Sequence, residues 1–300
     1  MTSVDETDST SRQILAKAAG SAITIRRMRL EFPADIDPIV VEGCPEESSM
    51  QVGISLLLPY LEPYLIRTMR AARAHVRDPK LLADLESFSG QEGQHYRQHV
   101  RFNEALRLEG FPGLKPLEAE VEADYQRFTR SKSLRFNLAY AEGFEAFTTA
   151  LSRFSFETNA LDRMHPVARE LFMWHLVEEL EHRTVAFDVY EHVCGGYFYR
   201  LAVGLFAQWH LNRFVLRVAD VMCTTDPAAF RAKYGGRAEA RARMRTLQRQ
   251  QLTGLLPKVL ATYLPWYTPH KIEMPPAAKA LADHYAALGL VASRAAERAG

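Results

Sequence analysis

Two residue pairs in this sequence have the spacing that lets one helix hold a metal ion. Glu92–His95 and Glu179–His182 are both Glu-x-x-His, in SGQEGQHYRQH and WHLVEELEHRT. Side chains three residues apart lie on one face of a helix, so each pair can reach a single ion. About one acidic-x-x-His pair is expected by chance in a chain of this composition. Either pair alone is therefore weak evidence, and the prediction depends on the repetition.

A further glutamate precedes each pair by the length of one helical hairpin. Glu62 lies 30 residues before Glu92, and Glu145 lies 34 residues before Glu179. Two long helices joined by a short turn are antiparallel, so residues at this separation lie at the same height. The order Glu, then Glu-x-x-His, thus occurs twice. Ferritin-like di-iron bundles take their ligands in this way, one Glu from each of two helices and Glu-x-x-His from each of the other two.

Two neighbouring glutamates compete for places in this set. Glu142 competes with Glu145, which we prefer because it keeps the spacing nearer 30, and Glu142 then becomes an outer or third carboxylate. Glu178 competes with Glu179, since a residue four positions before a histidine also shares its helix face. Both alternatives stay open at the level of the sequence.

Two further histidines are on the same predicted faces. His175 is four residues before Glu179, and His99 is four residues after His95. Each is predicted to be either an additional metal ligand or a hydrogen-bonded partner that orients a ligand from outside.

The types of the predicted ligands indicate which metal the site prefers. Four carboxylates and two imidazoles suit iron or manganese better than a structural zinc, which prefers a tetrahedral set of nitrogen and sulfur ligands. We therefore expect two iron ions, with manganese or a mixed pair as the alternative. The predicted ligands are Glu62, Glu92, His95, Glu145, Glu179 and His182.

The apolar pattern is helical almost throughout, and strand signals are nearly absent. We predict an all-α fold, a ferritin-like four-helix bundle with additional covering helices. Ser48–Ser49 is the expected cap of the first helix, which contains Pro59 and Pro63. Those prolines indicate either a later helix start or a bend that turns Glu62 inward. The predicted helices cover about 51–77, 79–109, 116–130, 132–158, 166–193 and 197–223, with more helices in 226–300.

Three segments follow from this pattern. Residues 1–48 are predicted to form a partly disordered N-terminal extension, 49–224 the di-metal bundle and 225–300 a C-terminal helical extension. The N-terminal residues MTSVDETDSTSR are acidic and hydroxyl-rich and have no apolar core segment, so they do not resemble a signal peptide. The most apolar stretch, 197–223, is interrupted by charged residues. We therefore expect a cytoplasmic protein without a transmembrane segment.

Composition excludes several classes of protein. Lys plus Arg (37) and Asp plus Glu (36) nearly cancel, so nothing in the overall charge favours nucleic acid as a partner. The three cysteines are odd in number and lack Cys-x-x-Cys spacing, which argues against a disulfide framework and a thiolate zinc site. They are Cys44, Cys194 and Cys223.

Four segments, in order, resemble a known family. LPYLEPYLIRTMR, FSGQEGQHYRQH, GFEAFTTAL and WHLVEELEHRTVAFDVY are similar to motifs of bacterial proteins described as predicted metal-dependent hydrolases. The resemblance spans about residues 50–200 and implies the same six ligands, with His175 as a candidate seventh. One departure is Ala146–Phe147, where that family commonly has His-Phe after the glutamate.

The ligand set favours oxygen chemistry over the family's description. Our first hypothesis is a di-iron, O2-dependent oxidase or oxygenase that acts on a small apolar or aromatic substrate and needs an electron donor. The alternatives are a binuclear metal-dependent hydrolase, whose metals activate water, and a non-catalytic metal-binding protein. The sequence leaves a homodimer open.

Overall fold

The computed structural model describes residues 15–16 and 22–299, and most of this part is helical. Its two short strands, β1 (Leu15–Ala16) and β2 (Ile25–Arg26), pair antiparallel. The all-α prediction is confirmed, and the disorder predicted for the first residues falls outside the described ranges. The α-helices are α1 Pro45–Ala72, α2 Pro79–Ala105, α3 Leu114–Ser131, α4 Leu134–Thr158, α5 Pro166–His182, α6 Val185–Val193, α7 Tyr197–Thr224, α8 Pro227–Tyr234, α9 Arg237–Gln250, α10 Leu256–Ala261 and α11 Pro276–Ala299.

The four helices that carry the glutamate and Glu-x-x-His motifs enclose a common interior. α1 packs against α2 and α4, and α5 packs against the same two helices, so the four form a closed ring. α7 covers α1, α3 and α4, and α6 covers α2 and α4. The likeness to ferritin-like bundles and the division into 1–48, 49–224 and 225–300 stay predictions.

The start of α1 differs from the prediction. The helix begins at Pro45, directly after Cys44, because proline has no N–H to lose in the first turn. The hydroxyl groups of Ser48 and Ser49 do not cap the helix. They donate to the carbonyl oxygens of Cys44 (2.9 Å) and Pro45 (2.7 Å), one turn back. A later helix start is therefore the wrong explanation for the interior prolines.

α1 continues through Pro59 and Pro63 and ends at Ala72, with a single 3-10 turn, Arg73–His75, after it. Proline at 59 cannot donate to the carbonyl four residues earlier, which belongs to Ser55. The side-chain amide of Asn103 on α2 donates to that oxygen instead, at 2.9 Å. The carbonyl group that the proline leaves without a helical donor is thus satisfied by the neighbouring helix.

The C-terminal end of α2 also differs from the prediction. α2 starts as predicted, with the Asp78 carboxylate accepting from the N–H groups of Lys80 and Leu81. It ends at Ala105 instead of residue 109, because Ile36 of the N-terminal segment takes over the hydrogen bonding: Ile36 N donates to Ala105 O at 2.8 Å, and its own carbonyl accepts from Arg107 N.

The single helix predicted over 166–193 is two helices. α5 ends at His182 and α6 starts at Val185, because Arg183 and Thr184 have shallow ψ angles of −22° and −19° that interrupt the helical ladder. Neither residue is a proline or a glycine, so the break has no signal in the sequence. Among the described residues, no helix is long and apolar enough to cross a membrane.

Candidate metal centre

The interior of the four-helix ring holds all six predicted ligands. Each of them is at most 2% exposed. Their donor atoms form two groups, within which the atoms lie no more than 4.8 Å apart. The first group consists of Glu62, His95 and His175, and the second of Glu92, Glu145, Glu179 and His182.

Two carboxylates lie between these groups. Glu179 Oε1 is 3.0 Å from His175 Nε2 and 3.7 Å from His95 Nδ1, both in the first group, and 3.5 Å from His182 Nε2 in its own. Glu92 Oε1 is 3.3 Å from His182 Nε2 and 3.9 Å from His95 Nδ1. Glu92 and Glu179 therefore contact histidines of both groups and would help to hold both ions of a metal pair.

Most of the inward-facing polar atoms of the six predicted ligands lack hydrogen-bond partners. Of the fourteen buried side-chain nitrogen and oxygen atoms without a partner in the described part of the chain, eight belong to the six predicted ligands. A buried polar group without a partner costs free energy, and native proteins rarely leave several together. A pair of cations would satisfy all eight at once, so the residues fit a metal pair. The eight atoms are both carboxylate oxygens of Glu62 and of Glu145, Glu92 Oε1, Glu179 Oε2, His95 Nδ1 and His182 Nε2.

The outer nitrogen of His182 is held by an amide. Gln91 donates through Nε2 to the Thr24 carbonyl and to Glu181, so its Oε1 is the acceptor that faces His182 Nδ1 at 2.9 Å. His182 Nδ1 therefore carries a proton, and Nε2 is the atom directed at the centre. The outer nitrogen of His95, Nε2, is 3.0 Å from Glu178 Oε2. When Glu178 is ionised, its Oε2 accepts a hydrogen bond from the protonated Nε2 of His95. His95 Nδ1 then presents a lone pair to the centre.

A longer chain of hydrogen bonds sets the tautomer of His175. Because Asn103 donates to the Ser55 carbonyl, its Oδ1 accepts the Ser55 hydroxyl proton at 2.6 Å. Ser55 Oγ then accepts from His99 Nδ1 (2.8 Å), and neutral His99 accepts from His175 Nδ1 (2.9 Å). His175 Nε2 is left with a lone pair, 3.0 Å from Glu179 Oε1. A contact this short between the two atoms needs a positive charge, which either a proton on His175 Nε2 or a metal ion held by these residues would supply.

The carboxyl groups at the centre have shifted pKa values. Burial and the neighbouring carboxylates raise the pKa of Glu62 and Glu92 well above the usual value, and burial raises the pKa of Glu145 to about 7. Burial also acts to raise the pKa of Glu179, but the nearby histidines, His182 first, outweigh it and hold that pKa well below the usual value. Four carboxylates in one dry site repel one another, and divalent cations would offset that repulsion.

The structure separates the competing glutamates. Glu145 faces the centre, whereas Glu142 forms a buried ion pair with Arg200 at 2.8 Å. Glu179 likewise faces the centre, whereas Glu178 lies behind His95. His99 has both ring nitrogens engaged by protein groups and so lies behind His175. That any of these residues binds a metal stays a proposal.

A narrow cavity of about 50 Å³ adjoins the centre. His175 and Glu179 contribute to its wall, and most of the remaining wall is apolar. Its apolar side chains come from α1, α4, α5 and α7, with Leu161 between α4 and α5. They are Ile54, Leu57, Leu58, Phe144, Phe147, Leu151, Leu161, Phe172, Leu176 and Leu211.

The sequence model of one protein family, described as predicted metal-dependent hydrolase, matches residues 24–273. The chain belongs to this family. No curated protein and no solved structure matches it. The match includes β2 and extends beyond α10, so the family of predicted metal-dependent hydrolases shares more than the four motif-bearing helices.

Three residues around the centre of this family member were not predicted from the sequence. Gln91 contacts His182 directly, whereas Arg26 and Asn103 reach predicted ligand histidines only through other side chains. Gln91 directly precedes a predicted ligand, which was a usable signal. Arg26 and Asn103 carry no spacing that relates them to a ligand, because their partners are far away in sequence.

Proposed function

We propose that this protein is a binuclear metal-dependent hydrolase whose two metal ions are held by α1, α2, α4 and α5. The observation that carries the proposal is the set of eight buried donor atoms without partners around one interior point. Family membership supports a hydrolase as the reaction class. Bound divalent ions would supply Lewis acidity and an acidified water, or, if they are iron(II), electrons for O2.

The protein's own groups have separable roles in this proposal. Glu62, His95 and His175 would hold one ion, and Glu145 with His182 the other, with Glu92 and Glu179 between them. The apolar wall of the adjoining cavity favours a substrate with an apolar part, such as an acyl ester, whose reactive group then faces Glu179 and His175. The burial of every ligand keeps bulk water away from the reacting bond.

Oxygen-dependent oxidation by a di-iron pair is the second candidate. The donor set favours it, because oxygen-rich sites with four carboxylates suit iron and manganese better than zinc, and ferritin-like bundles use that set for di-iron centres. An O2 substrate and an external electron donor would then be required.

Metal reconstitution tests these proposals. Protein stripped of metal is reloaded with zinc, manganese or iron(II), and its metal content is measured together with anaerobic hydrolysis of nitrophenyl acyl esters and oxygen uptake after reduction. Two equivalents of metal with anaerobic hydrolysis support the hydrolase, and two irons with oxygen uptake support the second candidate. Two equivalents with neither activity would indicate a non-catalytic metal protein.

Two glutamates one turn apart on α4 provide the matched control. Glu145→Gln removes a carboxylate that faces the centre, and Glu142→Gln removes an equally buried one that pairs with Arg200. We expect the first variant to lose bound metal and the second to retain two equivalents. Fewer than two equivalents in the wild-type protein with every metal tried would refute the binuclear centre.

A further inference from the structure

A single guanidinium group lies behind the metal centre. Arg26 belongs to the short strand β2, before the bundle begins, and is 2% exposed. Its Nη1 donates to Glu178 Oε1 at 3.1 Å, and Nη1 and Nη2 donate to the two oxygens of Glu181 at 2.7 and 2.6 Å. One arginine therefore joins two carboxylates that lie three residues apart on α5.

Glu178 and Glu181 are each connected by hydrogen bonds to a different histidine of the centre. Glu178 reaches His95 directly, through the contact of its Oε2 with His95 Nε2 at 3.0 Å. Glu181 reaches His182 through one intermediate, since its Oε2 accepts from Gln91 Nε2 at 2.9 Å and Gln91 Oε1 faces His182 Nδ1. His95 and His182 belong to different donor groups, so both halves of the centre are connected to the same cation.

The strand that carries Arg26 is held closely against α2. Gln91 donates to the carbonyl of Thr24, and Gln98 donates to the carbonyl of Met28, so α2 side chains bind the backbone on both sides of Arg26. Gly90 permits the approach, because a β-carbon there would lie 2.3 Å from the Ile25 side chain. The same helix supplies Gln91, so the position of the strand and the outer support of His182 are set together.

We propose that Arg26 is a positioning residue of the metal centre and that the N-terminal strand thereby orients one histidine in each half of it. This inference rests on the proposed two-metal site. A planar guanidinium presents several donors in a fixed geometry, which lets it hold two carboxylates at once; a lysine ammonium is a point charge and cannot reproduce that arrangement. Outer partners of ligand histidines typically contribute 10- to 100-fold to metal affinity.

Cobalt(II) is a suitable probe, because its visible absorption reports the geometry of nitrogen and oxygen ligands independently of turnover. We expect Arg26→Gln to weaken cobalt binding by about 10- to 100-fold for both equivalents and to change the absorption spectrum. Arg26→Lys should recover part of the affinity. The control is Arg243→Gln, which breaks another two-pronged ion pair, with Glu46 at 2.7 and 2.8 Å, between α9 and α1. It should lower the melting temperature without changing the cobalt spectrum.

The outcomes separate this inference from the proposed function. If the wild-type protein binds no cobalt, the two-metal site itself fails. If the wild type binds two equivalents and folded Arg26→Gln binds them with the same affinity and spectrum, the positioning role of Arg26 is wrong. Should Arg26→Gln not fold, Glu181→Gln decides the question, since it removes only the branch toward His182. Selective weakening of one cobalt equivalent then supports the inference, and any other pattern overturns it.

Discussion

Glu178 and Glu179 provide a sharp test of which side chains bind metal, because they are adjacent, are of the same residue type and are equally buried (0% and 1% exposed). Glu179 contacts histidines of both donor groups and has an oxygen without a hydrogen-bond partner among the described residues. Glu178 has both oxygens engaged, one by His95 and the other by Arg26 and Trp174. Replacing each by glutamine keeps the shape of the side chain, removes its negative charge and exchanges one acceptor oxygen for an NH2 donor.

The two substitutions should weaken metal binding to different extents. Removing one partner of a buried charged interaction costs about 3–5 kcal/mol, which corresponds to a loss of roughly two to four powers of ten in metal affinity for Glu179→Gln. Glu178→Gln removes an outer partner of His95, and such changes typically cost about 10- to 100-fold. Comparing the lower ends and then the upper ends of the two ranges, we expect Glu179→Gln to bind metal about 10- to 100-fold more weakly than Glu178→Gln.

Equilibrium titration with cobalt(II), followed by absorption and by elemental analysis, measures both affinities and stoichiometries. Circular dichroism of the metal-free proteins checks that both variants fold. Equal affinities, or weaker binding by Glu178→Gln, would refute the assignment, because the face of α5 that carries His182 would then direct the other carboxylate at the ions.

Four more expectations follow from the same geometry. Asn103→Leu should weaken metal binding about 10- to 100-fold by releasing the chain that sets the His175 tautomer, whereas Asn103→Asp, which keeps an acceptor, should lose less in the same cobalt titration. A chelator should lower the melting temperature by about 5–10 °C in calorimetry, since metal at a hundredfold excess over its dissociation constant contributes about 2.7 kcal/mol; an unchanged transition would contradict a bound metal. Burial lowers the pKa of His95 and His99, which stabilises the folded state as pH rises toward about 6.5. Above that range the metal-free protein should lose stability as pH rises from 7 to 8, because burial raises the pKa of Glu145 to about 7 and that of Glu178 to about 8. The folded state then holds protons that the unfolded state has released above its ordinary glutamate pKa, so a melting temperature that rises over this range would be inconsistent with those shifts. Leu151→Trp, in the cavity wall, should raise KM for long-chain nitrophenyl esters by at least about tenfold while sparing acetate esters, and equal effects on both would place the substrate elsewhere.

Local geometry explains why the helical pattern and the paired motifs were predictable. The ends of α3, α4 and α7 lie within about two residues of the predicted bounds. An i, i+3 pair on a helix shares a face whatever the rest of the chain does, so Glu92–His95 and Glu179–His182 needed no tertiary information. The hairpin spacing then related Glu62 and Glu145 to them.

The errors at the helix boundaries have different causes. α2 ends early because Ile36 pairs with its last turn, and α5 ends at His182 without a proline or glycine to mark it. The Ser48 and Ser49 hydroxyl groups resembled a cap but bond one turn back within a helix that had already begun.

The sequence by itself determined the helical class, the four motif-bearing helices and the types of donor they present, because these depend on periodicity and on spacing within single helices. Only the tertiary structure decided between Glu142 and Glu145 and between Glu178 and Glu179, since neighbouring turns of one helix differ only in what packs against them. It also brought Arg26 behind the predicted ligand histidines. That contact joins residues more than 150 positions apart, and no local pattern encodes it.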